Sequence, residues 1–190
     1  MNKLLEIMFL PLKIRKGERI EMNKHIFITN GMARCGKDTF AAYLNDIIPT
    51  LKYSSIDKVK EIAELCGWDV ASKTEEDRKF LSDLKMLTTK YSDMPFKAIE
   101  EKVNEFKEDD KYCVMLIDIR EPEEIEKAKK AFNTKTILIK NDRVENISSN
   151  FGDANVFNYN YDFEIENNGT LEEFRNKIYE FAYKEILTYV

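Results

Sequence analysis

Phe27-Ile28-Thr29-Asn30-Gly31-Met32-Ala33-Arg34-Cys35-Gly36-Lys37-Asp38-Thr39 is the stretch that decides how this chain folds. An apolar run from His25 closes at Asn30-Gly31, a second glycine follows, and a helix-compatible segment opens at Lys37-Asp38. Gly31, Gly36 and Lys37 keep the spacing G-x-x-x-x-G-K-[ST] of a phosphate-binding loop. Asp38 stands where a hydroxyl residue is expected, and Thr39 comes one position later. A strand that feeds such a loop into a helix turns consecutive backbone N–H groups into one concavity. That concavity and the helix N-terminus suit phosphate. The two glycines permit the turn and a close approach of backbone to ligand. The candidate triphosphate contacts are therefore Gly31, Arg34, Gly36, Lys37, Asp38 and Thr39. Lys37 is placed for the outer phosphates, and Asp38 or Thr39 for a Mg²⁺ ion. A glycine turn followed by a solvated Lys-Asp pair is the plainer reading, and the strand and helix on either side weigh against it.

Outward from the loop, strands alternate with helices. The pattern predicts strands at His25–Asn30, Leu51–Ser54, Lys111–Asp118, Thr136–Ile139 and Tyr161–Ile165. The third is a continuous apolar run, as a parallel strand buried on both faces requires. Helical spacing covers Asp38–Ile48, Asp57–Cys66 with Asp57 as its cap, and a helix opened by Thr74-Glu75-Glu76-Asp77, which has the form of a capping box. The stripe of that third helix reads Phe80, Leu81, Leu84, Leu87 and Thr88. Pro95 and Pro122 open two more helices, and Leu171 to about Leu187 closes the chain. The alternation implies an α/β three-layer sandwich around a five-stranded parallel sheet. Residues 57–107 form a helical block between strands two and three, and the Asn-rich residues 141–160 read as irregular.

The chain has 190 residues and 43% apolar content, enough for one domain with a real core. Residues 1–22 precede a plausible domain start at Met22 and read as an extension. Their apolar run is interrupted by Glu6 and lacks a small-x-small cleavage site, so it makes a poor secretory signal. The net charge of −5 disfavours nucleic acid or an anionic membrane as a partner. No stretch approaches the roughly 20 apolar residues of a membrane span. Three widely spaced cysteines and one histidine suggest reduced thiols in the cytoplasm and no zinc site. The sequence leaves the oligomeric state open.

Two later segments join the loop. One is Asp118-Ile119-Arg120-Glu121-Pro122-Glu123-Glu124, at the end of the apolar strand. The other is Asp162-Phe163-Glu164-Ile165-Glu166-Asn167-Asn168-Gly169-Thr170-Leu171. In this order the three resemble P-loop nucleoside and deoxynucleoside monophosphate kinases, above all the phage-type deoxynucleoside monophosphate kinases. Those carry a G-K-D-T loop, a strand ending D-x-R-x-x-x-E and a closing D-x-x-I-x-N-x-G-T-L. The G-K-D variant is also similar to animal phosphomevalonate kinase, and the general plan to dephospho-coenzyme A kinase.

The resemblance implies ATP and Mg²⁺ as cofactors and a small phosphorylated molecule as acceptor. It assigns Lys37, Asp118 and Arg120 to catalysis, and Asp38, Thr39 and Asp118 to the metal. Asn168, Gly169 and Thr170 match a turn near the adenine, residues 57–107 the acceptor-binding region, and residues 141–160 the lid. Arg78, Arg120 and Arg143 are the candidate acceptor or phosphoryl contacts. Each has a plainer reading. Asp118 and Arg120 make an ordinary ion pair, and Arg78 belongs to the solvated face of an acidic helix. Residues 141–160 are also poor in the arginines that such lids usually carry. The aromatics Phe151, Phe157, Tyr159, Tyr161 and Phe163 fit core packing better than base stacking. A nucleotide-binding regulatory module without efficient transfer is the alternative function.

Overall fold

The structure, a computed structural model, describes residues 23–72, 74–144 and 155–187. The N-terminal extension and half of the lid-like segment, residues 145–154, lie outside them. Five strands make one sheet: β1 (His25–Asn30), β2 (Thr50–Ser54), β3 (Val114–Asp118), β4 (Lys135–Lys140) and β5 (Phe163–Glu166). All neighbours are parallel, in the order β2-β3-β1-β4-β5. Among the described residues six α-helices accompany them: α1 (Lys37–Asn45), α2 (Asp57–Leu65), α3 (Glu75–Ser92), α4 (Met94–Glu108), α5 (Pro122–Phe132) and α6 (Leu171–Glu185).

The period-two alternation of the strands sorts their side chains into two apolar layers. Phe27, Val114, Leu116 and Ile165 pack with Phe40 and Leu44 of α1 and with Phe174, Ile178 and Phe181 of α6. Ile28, Met115 and Ile117 pack on the opposite face with Ile99, Val103 and Phe106 of α4 and Ile125 of α5. The result is the three-layer α/β sandwich read from the sequence. From β1 the chain is joined on one side to β3 and β2 and on the other to β4 and β5. The carboxyl end of β1 is thus a topological switch point, where open α/β sheets bind ligands. The glycine loop sits there.

Several local expectations change. Asp57 is the first residue of α2, not its cap; its carboxylate accepts the Ser54 N–H at 2.8 Å. Thr74 does cap α3, in a reciprocal box with Asp77. The predicted stripe of α3 is not a buried one, for no residue of this helix is fully buried. Leu81, Leu84, Lys85 and Thr88 are half-buried, while Phe80 and Leu87 are 38% and 64% exposed. The helix packs mainly against α2 and α4. Among the aromatics, Phe163 meets Phe181 at 5.2 Å between ring centres and belongs to the core. Tyr159 and Tyr161 pack edge to face, and Phe157 is exposed. Phe151 lies outside the described residues. Among the described residues, no helix is long and apolar enough to cross a membrane.

Candidate functional site

The loop between β1 and α1 needs its glycines. Gly31 has φ +151°, and a Cβ there would lie 2.5 Å from the Ile139 carbonyl oxygen. Gly36 has φ +111°, and a Cβ there would lie 2.5 Å from the Asn167 side-chain nitrogen. Arg34, at φ +63°, carries the loop through a left-handed turn with its side chain exposed. The Lys37 ammonium folds back across the loop. It donates to the Gly31 carbonyl at 2.5 Å and to the Met32 carbonyl at 3.0 Å. An anion entering the loop would compete with these carbonyls for the same charge.

Two asparagines hold the loop. Asn30 is buried, and its Oδ1 accepts the Gly31 N–H at 2.8 Å. Its Nδ2 donates to the Arg120 carbonyl at 3.1 Å and to the Tyr161 hydroxyl at 2.7 Å. The Tyr161 hydroxyl in turn donates to the Val156 carbonyl at 2.8 Å, and burial pushes this phenol up to about 12. At the other end of the loop, Asn167 Nδ2 donates to the Cys35 carbonyl at 2.9 Å. Asn30, buried and satisfied on both functions of its amide, fixes the loop because the alternative is an unpaired polar group. The Cys35 thiol is pushed up by burial, against the pull of Lys37, so it does not act as a thiolate.

Asp118 ends β3 in register with Thr29 of β1 and Ser54 of β2. One carboxylate oxygen accepts the Thr29 hydroxyl, and the other lies 3.0 Å from the Lys52 ammonium. Lys52 also bonds Asp38, in the first turn of α1. The charge partner of Asp118 is therefore a lysine of β2. Leu51 and Tyr53 face the α4/α5 layer, so alternation turns Lys52 to the α1 side. The bond from Lys52, with its charge, holds the Asp38 carboxyl below its ordinary value. Burial opposes the Lys52 charge, but Asp118 and Asp38 outweigh it and raise the lysine. Among the described residues, no group of three or more His, Cys, Asp or Glu side chains is placed to hold a metal. Asp38 and Asp118 nevertheless bring two hard carboxylates to one cation position. That suits Mg²⁺, which usually takes one or two carboxylates and draws its other oxygens from phosphate and water. Thr39 follows in α1, half-exposed.

The remaining candidates are spread out. Arg120 is half-buried at the β3 edge, beside Asn30. Arg78 sits on α3, paired with Glu75 at 2.6 Å, and is not brought to the loop. Arg143 donates to the carbonyls of Asn168 and, at 3.0 Å, Gly169. Asn168 returns the clasp, donating to Asp142 at 2.7 Å and accepting the Asp142 N–H at 2.8 Å. Thr170 caps α6 in a reciprocal box with Glu173. The turn 167–170 is thus tied to the loop by Asn167 and to residues 142–143 by Asn168.

The contacts of Asn30, Lys52, Asn167 and one cluster at the start of α5 carry no signal in the sequence. In that cluster Lys85 of α3 lies 2.7 Å from both Glu121 and Glu124, at the start of α5. Burial opposes the charge on Glu121, yet Lys85 holds that carboxyl below its ordinary value. Glu124 is pushed up to about 7 by burial, with Glu121 adding repulsion. The D-x-R-x-x-x-E spacing contained Glu124, but its partner comes from another helix and carries no spacing signal.

No protein-family model matches the sequence, and no curated protein sequence matches it. Solved structures do. Dephospho-CoA kinase from Campylobacter jejuni is similar at 18% identity over 85% of this chain and 97% of its own, with a TM-score of 0.51. Shikimate kinase from Aquifex aeolicus matches at 14% identity over 85% of this chain and 98% of its own, with a TM-score of 0.47. At such identity the likeness to the first establishes architecture and leaves the reaction open. The five-stranded parallel sheet, the helices on both faces and the glycine loop at the switch point make this the fold of the P-loop kinases.

Proposed function

We propose that the protein transfers the γ-phosphoryl group of ATP to a small phosphorylated acceptor, with Mg²⁺ as cofactor. The observation that carries this reading is the shared edge of β1 and β3. There Lys37 lies across the loop that would take the phosphates, and Asp38 and Asp118 converge on one cation. The sequence motifs favour a nucleoside or deoxynucleoside monophosphate as acceptor. Dephospho-coenzyme A or a phosphomevalonate-type metabolite is the alternative acceptor class.

Phosphoryl transfer of this kind depends on positioning and charge neutralisation. The acceptor oxygen belongs to a phosphate already ionised near neutral pH, so no strong base is needed. Backbone N–H groups of the loop and Lys37 hold the outer phosphates. Asp38 and Asp118 would hold the metal, which would supply charge neutralisation for the phosphates, and Thr29 fixes the orientation of Asp118. Arg120 offers a planar fork for phosphate oxygens. The turn 167–170, anchored by Asn167, borders the side where the adenine is expected. The free cysteines, two of them buried, fit the proposed cytoplasmic location.

A second reading has one observation in its favour. Arg78 is engaged with Glu75, and Arg143 with the 168–169 carbonyls, so both cations already have partners. A nucleotide-binding regulatory module would need no acceptor cations. A coupled ADP-release assay over ribo- and deoxynucleoside monophosphates, dephospho-coenzyme A and phosphomevalonate separates the two. Acceptor-dependent turnover supports the kinase. Tight ATP binding without turnover on any acceptor supports the module.

A further inference from the structure

Lys52 has no place in the loop motif or in either of the later segments, yet it is the cation on which the two candidate metal carboxylates meet. Its stem lies on the α1 face of β2, opposite Leu51 and Tyr53. Its ammonium bonds Asp38 and lies 3.0 Å from Asp118. Asp118 is fixed on its other oxygen by the Thr29 hydroxyl and is only 15% exposed on its side chain. Asp38, by contrast, is 94% exposed and stays at the helix mouth. One carboxylate is therefore held on both oxygens and the other, at the surface, is held by the lysine that lies between them.

Asp38 replaces the usual loop hydroxyl and so adds a negative charge beside the phosphates. Two carboxylates without compensation would repel an incoming triphosphate and attract free divalent cations in its absence. A lysine on a flexible stem answers both problems, because its ammonium can leave the carboxylates without leaving the site.

We propose that Lys52 is a resident counter-cation. It occupies the position between Asp38 and Asp118 in the nucleotide-free protein, and it yields that position to a metal only when the metal arrives with phosphate. Displaced, the same ammonium remains within reach of the added phosphate charge. Metal binding thereby becomes conditional on nucleotide. The inference rests on the reading of Asp38 and Asp118 as metal ligands, but not on any acceptor or on turnover.

The test uses Mn²⁺ alone as the probe, titrated into the nucleotide-free full chain and followed by electron paramagnetic resonance. Wild type should bind Mn²⁺ weakly. Lys52→Met keeps most of the aliphatic stem, and removing its charge should tighten Mn²⁺ binding by about tenfold or more, the scale of one unit charge at short range near a protein surface. Lys52→Gln should behave the same way and guards against a packing artefact of methionine. Adding Asp118→Asn to Lys52→Met should abolish the gain. Mn²⁺ affinity that is unchanged or lower in both Lys52 variants, with the fold intact by circular dichroism, overturns the proposal. So does a gain that survives Asp118→Asn. If the gain appears but no acceptor is ever phosphorylated, the kinase reading fails and the role of Lys52 stands. If turnover is found but the gain is absent, the reverse holds.

Discussion

Gly36→Ala tests how the phosphate loop is held. Gly36 has φ +111°, a backbone conformation that side chains rarely adopt, and a Cβ there would lie 2.5 Å from Asn167 Nδ2. The backbone term costs at least about 1–2 kcal/mol. The methyl group also expels the Asn167 amide from the Cys35 carbonyl, which it meets at 2.9 Å, and losing that bond adds about 1 kcal/mol. The variant should therefore be about 2–3 kcal/mol less stable than wild type in urea unfolding, with an unchanged m-value. It should also lose the thermal shift produced by ATP. Asn167→Ala alone should cost about 1 kcal/mol. Added to Gly36→Ala it should cost almost nothing, because the bond is already broken. A double variant whose loss equals the sum of the singles would show that the two residues do not share this contact. So would a Gly36→Ala protein within about 0.5 kcal/mol of wild type.

Three further outcomes follow from the same geometry. Lys37→Ala should leave the fold intact and lower kcat by about 10²–10³-fold, the usual loss of one charge-stabilising contact, in the ADP-release assay. Arg78→Ala should change stability by less than about 0.5 kcal/mol and leave the acceptor KM nearly unchanged, since its partner is the exposed Glu75; a large rise in KM would place Arg78 on the acceptor. Glu124 titrates near 7 in the folded protein against an ordinary 4.5. The folded state thus binds this proton more tightly than the unfolded chain, and its contribution to stability fades as pH rises from about 4.5 to about 7. Glu124→Gln should therefore gain about 2–3 kcal/mol on wild type between pH 5 and pH 8, measured by urea unfolding at each pH, and a constant difference across that range would refute the assignment.

Much of the fold was legible because local rules and tertiary burial agree. Val114-Met115-Leu116-Ile117 is apolar throughout and is buried on both faces. Thr74 and Asp77 form the capping box their spacing announces, and Pro122 begins α5 where a helix must start. The α3 stripe misled because amphipathic spacing reports which side of a helix is apolar, not whether anything covers it. Phe80 and Leu87 have the spacing of core residues and stay exposed. The site was legible only along the chain. Gly31, Gly36 and Lys37 are local, and so is the strand end at Asp118. Lys52 meets Asp118 from a neighbouring strand 66 positions away in sequence (118 − 52). Asn167 reaches Cys35 across 132 positions. Contacts of that kind leave no spacing to read, and a lysine in a weak strand looks like a solvated residue until its partners are placed.

A kinase is defined by where the phosphoryl group goes. Incubating the protein with γ-³²P-labelled ATP, Mg²⁺ and each candidate acceptor, then separating the products, tests it directly. Label should appear in an acceptor bearing one more phosphate, and its rate of appearance should fall by about 10²–10³-fold in Lys37→Ala. Label confined to ATP, or released only as inorganic phosphate with every acceptor, would contradict the kinase reading.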